Sequence, residues 1–161
     1  MGCMFLVPTR LGQSHIHGLG VFTLVPIARG TPVWRFTPPF DQEFDPAEVE
    51  RLEPHIRAFF DHYSYLDRFS KKLVLCFDNG RFVNHSNHPN MGMDYALDPH
   101  GLDVALRDIA AGEELTSNYE DFEEGGRPVE AALDGAAAAW DQPAILRSLT
   151  SITSADGRTQ I

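Results

Sequence analysis

The sequence predicts a mainly β domain with a few short helices. Short runs of strand-forming residues recur along the 161-residue chain, and clusters of Gly, Pro, Asn and Asp separate them. A single longer helical pattern interrupts these runs early in the chain. Hydrophobic residues make up 43% of the sequence, which is enough for a packed core, so we expect a folded domain over residues 1–124.

The strand-forming runs are each bounded by turn residues. They lie at Gly18–Phe36, Leu73–Phe77, Arg81–Val83, Gly101–Arg107 and Glu114–Tyr119. Asp78-Asn79-Gly80 stands between the second and third runs, and this composition is typical of a β-hairpin turn. We therefore expect Leu73–Phe77 and Arg81–Val83 to pair with each other.

A helix is predicted to begin after Asp45. Asp45 can cap the helix with its side chain, and Pro46 suits the first helical position. Apolar residues then recur at helical spacing through about Tyr63, and Pro54 is expected to kink or split the helix. These apolar residues are Val49, Leu52, Ile56, Phe59 and Phe60.

The composition changes from Gly125 onward. Ala131–Trp140 and Ala144–Leu149 are predicted as short helices, and the polar Ser151–Ile161 as a frayed end. We therefore treat residues 125–161 as a separate C-terminal helical segment.

The net charge of −10 is concentrated in two segments. Asp41–Glu53 and Glu120–Asp134 each carry six acidic residues and one arginine. An acidic surface repels a phosphate backbone, which argues against direct nucleic-acid binding, and it attracts a basic peptide. Acidic loops also simply keep a protein soluble, and charge alone favours this second interpretation.

The sequence predicts neither membrane insertion nor secretion. It contains no run of 18 apolar residues, and no charged segment precedes the short apolar stretch Met4–Pro8. Its two cysteines, Cys3 and Cys76, have neither a disulfide framework nor the spacing of a zinc site. We expect a soluble protein of the cytoplasm.

Three segments carry residues suited to chemistry. Gly18-Leu19-Gly20 lets the backbone approach a bulky ligand, although glycine pairs are also common in ordinary turns. Asn84-His85-Ser86-Asn87-His88-Pro89-Asn90 follows an apolar strand with a dense row of hydrogen-bonding groups. Glu113-Glu114-Leu115-Thr116 leads through a short strand to Tyr119, which by itself could be only a core anchor.

The second segment also has two plainer interpretations. It could be a loop of side-chain-to-backbone turns that caps a strand. His85 and His88 could alternatively bind a metal, but histidines at this spacing without carboxylate or cysteine partners make a poor site, and we predict no metal.

Taken together and in this order, the three segments resemble the SET-domain family of protein-lysine methyltransferases. The resemblance covers residues 15–122, and the protein is similar to the small stand-alone members of the family. It implies a β-clip-like fold of small sheets with a C-terminal pseudoknot, in which the Asn-His strand and the tyrosine segment are threaded together. It also implies S-adenosyl-L-methionine as the cofactor and a protein or peptide lysine as the substrate.

The resemblance assigns roles to individual residues. Gly18, Leu19 and Gly20 would present backbone to the methionine part of the cofactor. Asn84 would hold the amino acid end of the cofactor through its side chain, and His85 would offer backbone groups to the adenine. Tyr119 would be the catalytic tyrosine and would also lie near the cofactor's methyl group.

Other positions depart from the family or fit it less well. Asn87 replaces a cysteine found in zinc-binding members, and no Cys-x-Cys run follows Tyr119, so we expect no zinc. Asn118 replaces a common aspartate before the tyrosine. The aromatic expected in the lysine channel is not obvious, and Met93 and Tyr95 are the candidate substrate-binding residues.

The C-terminal segment would close over the cofactor site in such a fold. Trp140 is a candidate for stacking on adenine and equally for packing against an alanine-rich helix. Three function hypotheses therefore remain: an active lysine methyltransferase, a SET-like lysine-peptide binding module that has lost catalysis, and a metal-dependent hydrolase that uses His85 and His88.

Overall fold

The computed structural model describes residues 4–125 of the chain. The predicted helices Ala131–Trp140 and Ala144–Leu149, the side chain of Trp140 and the polar end lie outside the described residues, as does Cys3. The predicted domain boundary near residue 124 stays a prediction.

The described residues form three small β-sheets with two short helices, as the predicted fold class requires. The first sheet has the strand order β1-β2-β10-β7, the second β3-β9-β8 and the third β4-β6-β5. The strands are β1 (Thr9–Gln13), β2 (Leu19–Thr23), β3 (Pro32–Arg35), β4 (Gln42–Phe44), β5 (Ser64–Leu66), β6 (Leu73–Leu75), β7 (Asn84–His85), β8 (Met91–Asp94), β9 (Leu102–Ala105) and β10 (Glu114–Ser117); the helices are α1 (Pro46–Val49) and α2 (Pro54–Tyr63).

The predicted early helix is present but divided in two. Asp45 caps α1, and its side chain accepts a hydrogen bond from the backbone N–H of Ala47 at 2.8 Å. Pro54 then occupies the first turn of α2, where a missing N–H costs nothing. The expected split at Pro54 is therefore confirmed.

The predicted hairpin around Asp78-Asn79-Gly80 is wrong. Residues Asn79–Phe82 form a 3-10 turn, and β6 pairs with β4 and β5 instead. The cause is the Asp78 carboxylate, which accepts hydrogen bonds from the backbone N–H of Gly80 at 2.8 Å and of Phe5 at 2.9 Å. These bonds stabilise the 3-10 turn, because both oxygens of the Asp78 carboxylate gain a backbone partner that a hairpin would not provide.

The strand predicted over Glu114–Tyr119 ends early, at Ser117. Asn118 caps a second 3-10 turn, Tyr119–Asp121, because its side-chain oxygen accepts a hydrogen bond from the N–H of Glu120 at 3.1 Å. Tyr119 consequently sits at the start of a turn rather than in a strand.

A hydrophobic core joins the first two sheets. Val21 of β2, Leu115 of β10, and Met91 and Ala105 of the second sheet are completely or almost completely buried in one cluster. Trp34, Phe36, Val74 and Cys76 form a second cluster that reaches the third sheet. Neither helix of the described residues is long and apolar enough to cross a membrane.

Candidate functional site

The central position of β10 brings the three sequence segments together. β10 pairs antiparallel with β2, which contains the glycine segment, and parallel with β7, which is Asn84–His85. Thr116 lies opposite Asn84, and Ser117 lies opposite His85. Parallel neighbours cannot be joined by a tight turn, so the chain travels away through β8 and β9 before β10 returns between β2 and β7.

Asn84 links this sheet to the glycine segment. Its side chain is buried, and the amide nitrogen lies 2.8 Å from Glu114 Oε1, 3.0 Å from the carbonyl of Leu19 and 3.2 Å from the carbonyl of His17. All the hydrogen bonds of this side chain within the described residues use the amide nitrogen, so its oxygen can accept a hydrogen bond from a ligand.

The glycine segment begins with a tight turn. Gly18 has φ +46°, a conformation that glycine adopts without strain, and its carbonyl accepts a hydrogen bond from the N–H of Ser14 at 3.0 Å. Leu19 remains about half exposed. Gly20 is buried, and a Cβ added there would overlap the carboxylate of Glu114. Position 20 therefore requires glycine, because the Glu114 carboxylate occupies the space that a Cβ would need.

Glu114 is a structural centre that the sequence analysis did not single out. Its carboxylate accepts hydrogen bonds from the Ser14 hydroxyl at 2.8 and 3.0 Å as well as from Asn84. A charged acceptor strengthens such bonds. In the sequence this residue is indistinguishable from Glu113, whose carboxylate instead pairs with Arg107 at 2.5 Å on the surface.

Asn90 holds the other side of β10. Its side chain, which is only 1% exposed, accepts a hydrogen bond from Thr116 N–H at 2.8 Å and donates one to the carbonyl of Glu114 at 2.7 Å. These two bonds mimic a missing strand partner. The second segment therefore positions β10 through two residues, Asn84 and Asn90, which both engage Glu114 and Thr116.

The His85 ring is engaged on both nitrogens. Nδ1 accepts a hydrogen bond from the backbone N–H of Tyr119 at 3.2 Å, so a neutral ring carries its hydrogen on Nε2, which lies 3.0 Å from Asn87 Oδ1. His85 therefore orients Tyr119, and its ring nitrogens are committed. Within residues 4–125 no cluster of three or more His, Cys, Asp or Glu side chains is arranged to bind a metal.

Tyr119 is held in place by its hydroxyl. This group donates a hydrogen bond to the carbonyl of Val83 at 2.6 Å, directly before β7. Burial raises the pKa of Tyr119 to about 12, and the charge of Glu123 adds to this shift. The hydroxyl therefore stays protonated near neutral pH and presents its oxygen as an acceptor.

An aromatic row extends from Tyr119 toward the third sheet. The ring of Phe122 lies 5.7 Å from that of Tyr119 and 4.8 Å from that of Tyr65, between ring centroids. Phe122 is buried and Tyr65 is half-buried. Neither residue was predicted to belong to the site, and Tyr65 lies in a segment whose aromatic residues were expected to be core residues.

The predicted substrate residues Met93 and Tyr95 lie at the end of β8. The Tyr95 hydroxyl donates to Met93 Sδ at 3.2 Å, and the Tyr95 ring packs on Phe69 with centroids 4.4 Å apart. Burial raises the pKa of the Tyr95 hydroxyl. Within the described residues, neither residue shares a hydrogen bond or ring contact with Tyr119, so their role in binding substrate stays a prediction.

Sequence comparison gives the family and one curated relative. The SET domain family model matches residues 18–120. A Plasmodium falciparum protein named "Putative histone-lysine N-methyltransferase 1" is 29% identical over 117 residues, and this match covers 67% of the present chain. The chain spans only 2% of the length of that relative.

Solved structures with a similar fold include the Neurospora SET domain protein DIM-5, a histone lysine methyltransferase. It is 27% identical with a TM-score of 0.50, and the match covers 72% of this chain and 53% of that one. A humanized mutant of the Chaetomium thermophilum Polycomb Repressive Complex 2 is 22% identical with a TM-score of 0.55, covering 74% of this chain and 16% of that one; this likeness concerns the fold alone. Because the family model spans residues 18–120, which is more than half of the chain, the chain belongs to the SET-domain family.

Proposed function

We propose that the protein transfers a methyl group from S-adenosyl-L-methionine to the side-chain amine of a lysine in a protein or peptide. The observation that carries this proposal is the hydrogen bond from Tyr119 to Val83, which fixes a neutral phenol beside Asn84 and His85. The residues expected to bind the cofactor or to act in catalysis lie on β2 or directly before it, on β7, or two residues after the end of β10.

The chain has suitable groups for the amino acid end of the cofactor. Asn84 offers its amide oxygen, and its amide nitrogen donates hydrogen bonds to the carbonyls of Leu19 and His17, which fix the direction of that oxygen. Such oxygens accept hydrogen bonds from an ammonium group. The negative charge of Glu114 beside Asn84 favours a cation there.

Tyr119 orients the reactants rather than removing a proton. Since its pKa is raised to about 12, the hydroxyl cannot act as an effective base near neutral pH. The hydroxyl donates its hydrogen to the Val83 carbonyl, so its oxygen lone pairs can accept a hydrogen bond from the substrate amine. This bond would hold the lysine nitrogen in line with the methyl group.

When bound, the cofactor would supply a methyl group activated by a sulfonium, which the lysine nitrogen would accept in exchange for the carbon–sulfur bond. Free lysine has a pKa of about 10.4 and must lose a proton before it can attack. Alignment of two bound reactants can contribute about 7–11 kcal/mol to such a reaction. The chain therefore has to supply alignment and a route for the proton.

A basic peptide is the substrate class that the charge distribution favours. Some acids of the two acidic segments are not available to such a peptide, because Asp41 and Glu123 are buried and Glu124 pairs with Lys71 at 2.8 Å. Among the exposed acids, Glu120 and Asp121 follow Tyr119 directly in the chain, so a cation that approaches the proposed site is attracted by them. We expect the protein to act in the cytoplasm without contacting nucleic acid directly.

Labelled cofactor tests this proposal directly. We expect methyl incorporation into lysine-containing basic peptides, binding of S-adenosylhomocysteine by calorimetry, and loss of incorporation in Tyr119→Phe with cofactor binding retained. Cofactor binding without product on a broad panel of peptides and proteins would instead identify a binding module that has lost catalysis.

A further inference from the structure

Tyr119 is held at two points by the residues on either side of Asn84. Its hydroxyl donates a hydrogen bond to the carbonyl of Val83 at 2.6 Å, and its backbone N–H donates one to Nδ1 of His85 at 3.2 Å. The rings of His85 and Tyr119 also meet edge to face, with centroids 5.3 Å apart. The chain at β7 therefore fixes both the backbone and the hydroxyl of this tyrosine.

The backbone N–H of Tyr119 needs an acceptor from outside its own turn. Tyr119 begins the 3-10 turn Tyr119–Asp121, and the first N–H groups of such a turn have no partner within it. Asn118 satisfies the next of these groups, because its side-chain oxygen accepts a hydrogen bond from the N–H of Glu120 at 3.1 Å. His85 Nδ1 satisfies the N–H of Tyr119, so the start of the turn depends on two side chains.

One protonation state of the His85 ring fits these contacts. A backbone N–H can only donate, so Nδ1 must carry a lone pair, and the hydrogen of the neutral ring lies on Nε2. Asn87 Oδ1 lies 3.0 Å from Nε2 and accepts that hydrogen. A protonated ring would place two N–H donors against each other at Nδ1, and the hydrogen bond to Tyr119 would be lost.

The partners of the His85 ring carry no charge near neutral pH. Within residues 4–125, the residues that share a side-chain hydrogen bond or a ring contact with it are Asn87 and Tyr119, and burial raises the pKa of the Tyr119 phenol to about 12. Ionisable side chains on the neighbouring elements are His88 in the same loop, Glu114 at the start of β10, and Glu120 and Asp121 in the turn. Histidine titrates between pH 5 and 8, so His85 is the member of this contact set that can gain a charge there.

We propose that His85 is a positioning residue for methyl transfer, whose unprotonated ring holds the Tyr119 turn in place and releases it on protonation. This inference rests on the proposed function, and it gives the His85 side chain a role besides the backbone contacts expected with adenine. The Tyr119 oxygen has to meet the lysine nitrogen, and a small displacement of an aligning group can cost about 100-fold in rate. Protonation of His85 should therefore lower kcat more than it weakens substrate binding.

Nitrogen-15 NMR of the full-length protein tests the contact without methyl transfer. We expect the His85 ring to carry its hydrogen on Nε2 at about pH 8, and the Tyr119 amide signal to shift with the same midpoint as the ring when the pH is lowered to about 5.5. In His85→Asn, the Oδ1 atom takes the place of Nδ1 and does not titrate, so the Tyr119 signal should stay fixed. A hydrogen on Nδ1, or a Tyr119 amide that still titrates in His85→Asn, would overturn the inference.

Kinetics of two matched variants test the role of this contact in the reaction. Asparagine and leucine branch at the same atom and both lack the ring, but only asparagine offers an acceptor at the position of Nδ1. We expect His85→Leu to lower kcat for a lysine peptide by about 100-fold with little change in KM, and His85→Asn to have a kcat at least about tenfold above that of His85→Leu. Equal kcat values for the two variants would contradict the inference. Thermal melting and calorimetry with S-adenosylhomocysteine establish that each variant is folded and binds the cofactor site.

The pH dependence gives a readout that does not need the leucine variant to fold. The ratio of kcat in His85→Asn to kcat in the wild type cancels the ionisation of the substrate lysine, which both proteins share. We expect this ratio to rise by at least about threefold from pH 8 to pH 5.5, because only the wild type loses its acceptor. The control is His88→Asn, which removes an exposed histidine of the same loop and should give a constant ratio. A constant ratio for His85→Asn as well would contradict the inference.

The outcomes separate the two proposals. If the His85 ring and the Tyr119 amide titrate together while no peptide is methylated, the contact stands and the proposed function fails. If peptides are methylated while His85→Leu and His85→Asn have equal kcat values and the ratio stays constant with pH, the role of His85 fails alone.

Discussion

The side-chain amide nitrogen of Asn84 lies 2.8 Å from a carboxylate oxygen of Glu114, across two strands that pair in parallel. The same carboxylate accepts the Ser14 hydroxyl and packs against Gly20. Glu114 therefore sets the position of the glycine segment relative to Asn84. The residues proposed to bind the cofactor depend on a side chain that need not contact it.

Glu114→Gln should loosen this arrangement. A glutamine can keep an oxygen toward Asn84, but it replaces the other acceptor of Ser14 with an NH2 group and removes the charge that strengthens these bonds, and losses of this kind cost about 1–3 kcal/mol. We expect the free energy of unfolding to fall by that amount and the Kd for S-adenosylhomocysteine to rise, measured by urea titration and calorimetry. Glu124→Gln, which removes only the surface pair with Lys71, should cost less than about 1 kcal/mol.

Gly20→Ala should conflict with Glu114 directly. The new methyl group would occupy the position of the carboxylate, and such overpacking costs about 1–3 kcal/mol. The cost should shrink in a Glu114→Ala background, so urea unfolding of the four proteins should show a non-additive cycle. Strict additivity would contradict the contact. Gly18→Ala meets open space and should show only the strain of its positive φ, about 1 kcal/mol.

The family and most of the strands and helices could be predicted from the sequence, because they depend on signals between residues that are close together in the chain. Asp45 and Pro46 form a cap whatever surrounds them, and the order of the glycine, Asn-His and tyrosine segments is visible in the chain itself. The short strands at Leu102–Ala105 and Glu114–Ser117 likewise follow from their apolar and β-branched residues.

The missed features depend on contacts between distant residues. Asp78 prevents the expected hairpin because it binds Phe5, 73 positions earlier. Leu102-Asp103-Val104-Ala105 alternates so that Asp103 would be assigned to the solvent side, and only the pairing with Met93 and Trp34 shows that it points inward. Glu114 and Glu113 are the same residue type side by side, and only the pairing of β10 with β2 shows that Glu114 faces the glycine segment.

Asn90→Asp should weaken the attachment of β10. Aspartate has the same shape but cannot donate to the Glu114 carbonyl, and it places a second charge beside Glu113. We expect a loss of about 2–4 kcal/mol in the free energy of unfolding at pH 8, measured with urea. Asn87→Asp in the same loop can still accept from His85 and is exposed, so it should change stability by less than about 0.5 kcal/mol. Equal effects at the two positions would contradict the proposed attachment.

Asp103→Asn should make the protein more stable at high pH. The folded pKa of Asp103, about 7, lies above its ordinary value of 3.8, so the folded state binds the proton more tightly than the unfolded state. Stability from this group is complete below about pH 4 and is lost as the pH rises through 7. The variant carries no charge to bury, and urea titrations should show it gaining about 2–4 kcal/mol over wild type between pH 4 and 8.

Asp41 provides the contrast for this prediction. It is also buried, but its two carboxylate oxygens accept hydrogen bonds from the backbone N–H groups of Thr37 at 2.8 Å and Phe77 at 2.9 Å. Asp41→Asn replaces one acceptor with a donor and should therefore lose about 1–3 kcal/mol at pH 8. Destabilisation of both variants would mean that Asp103 is already paired in the folded protein. Stabilisation of Asp103→Asn alone would mark a carboxylate that is retained at a cost to the fold, as a residue that binds a ligand can be.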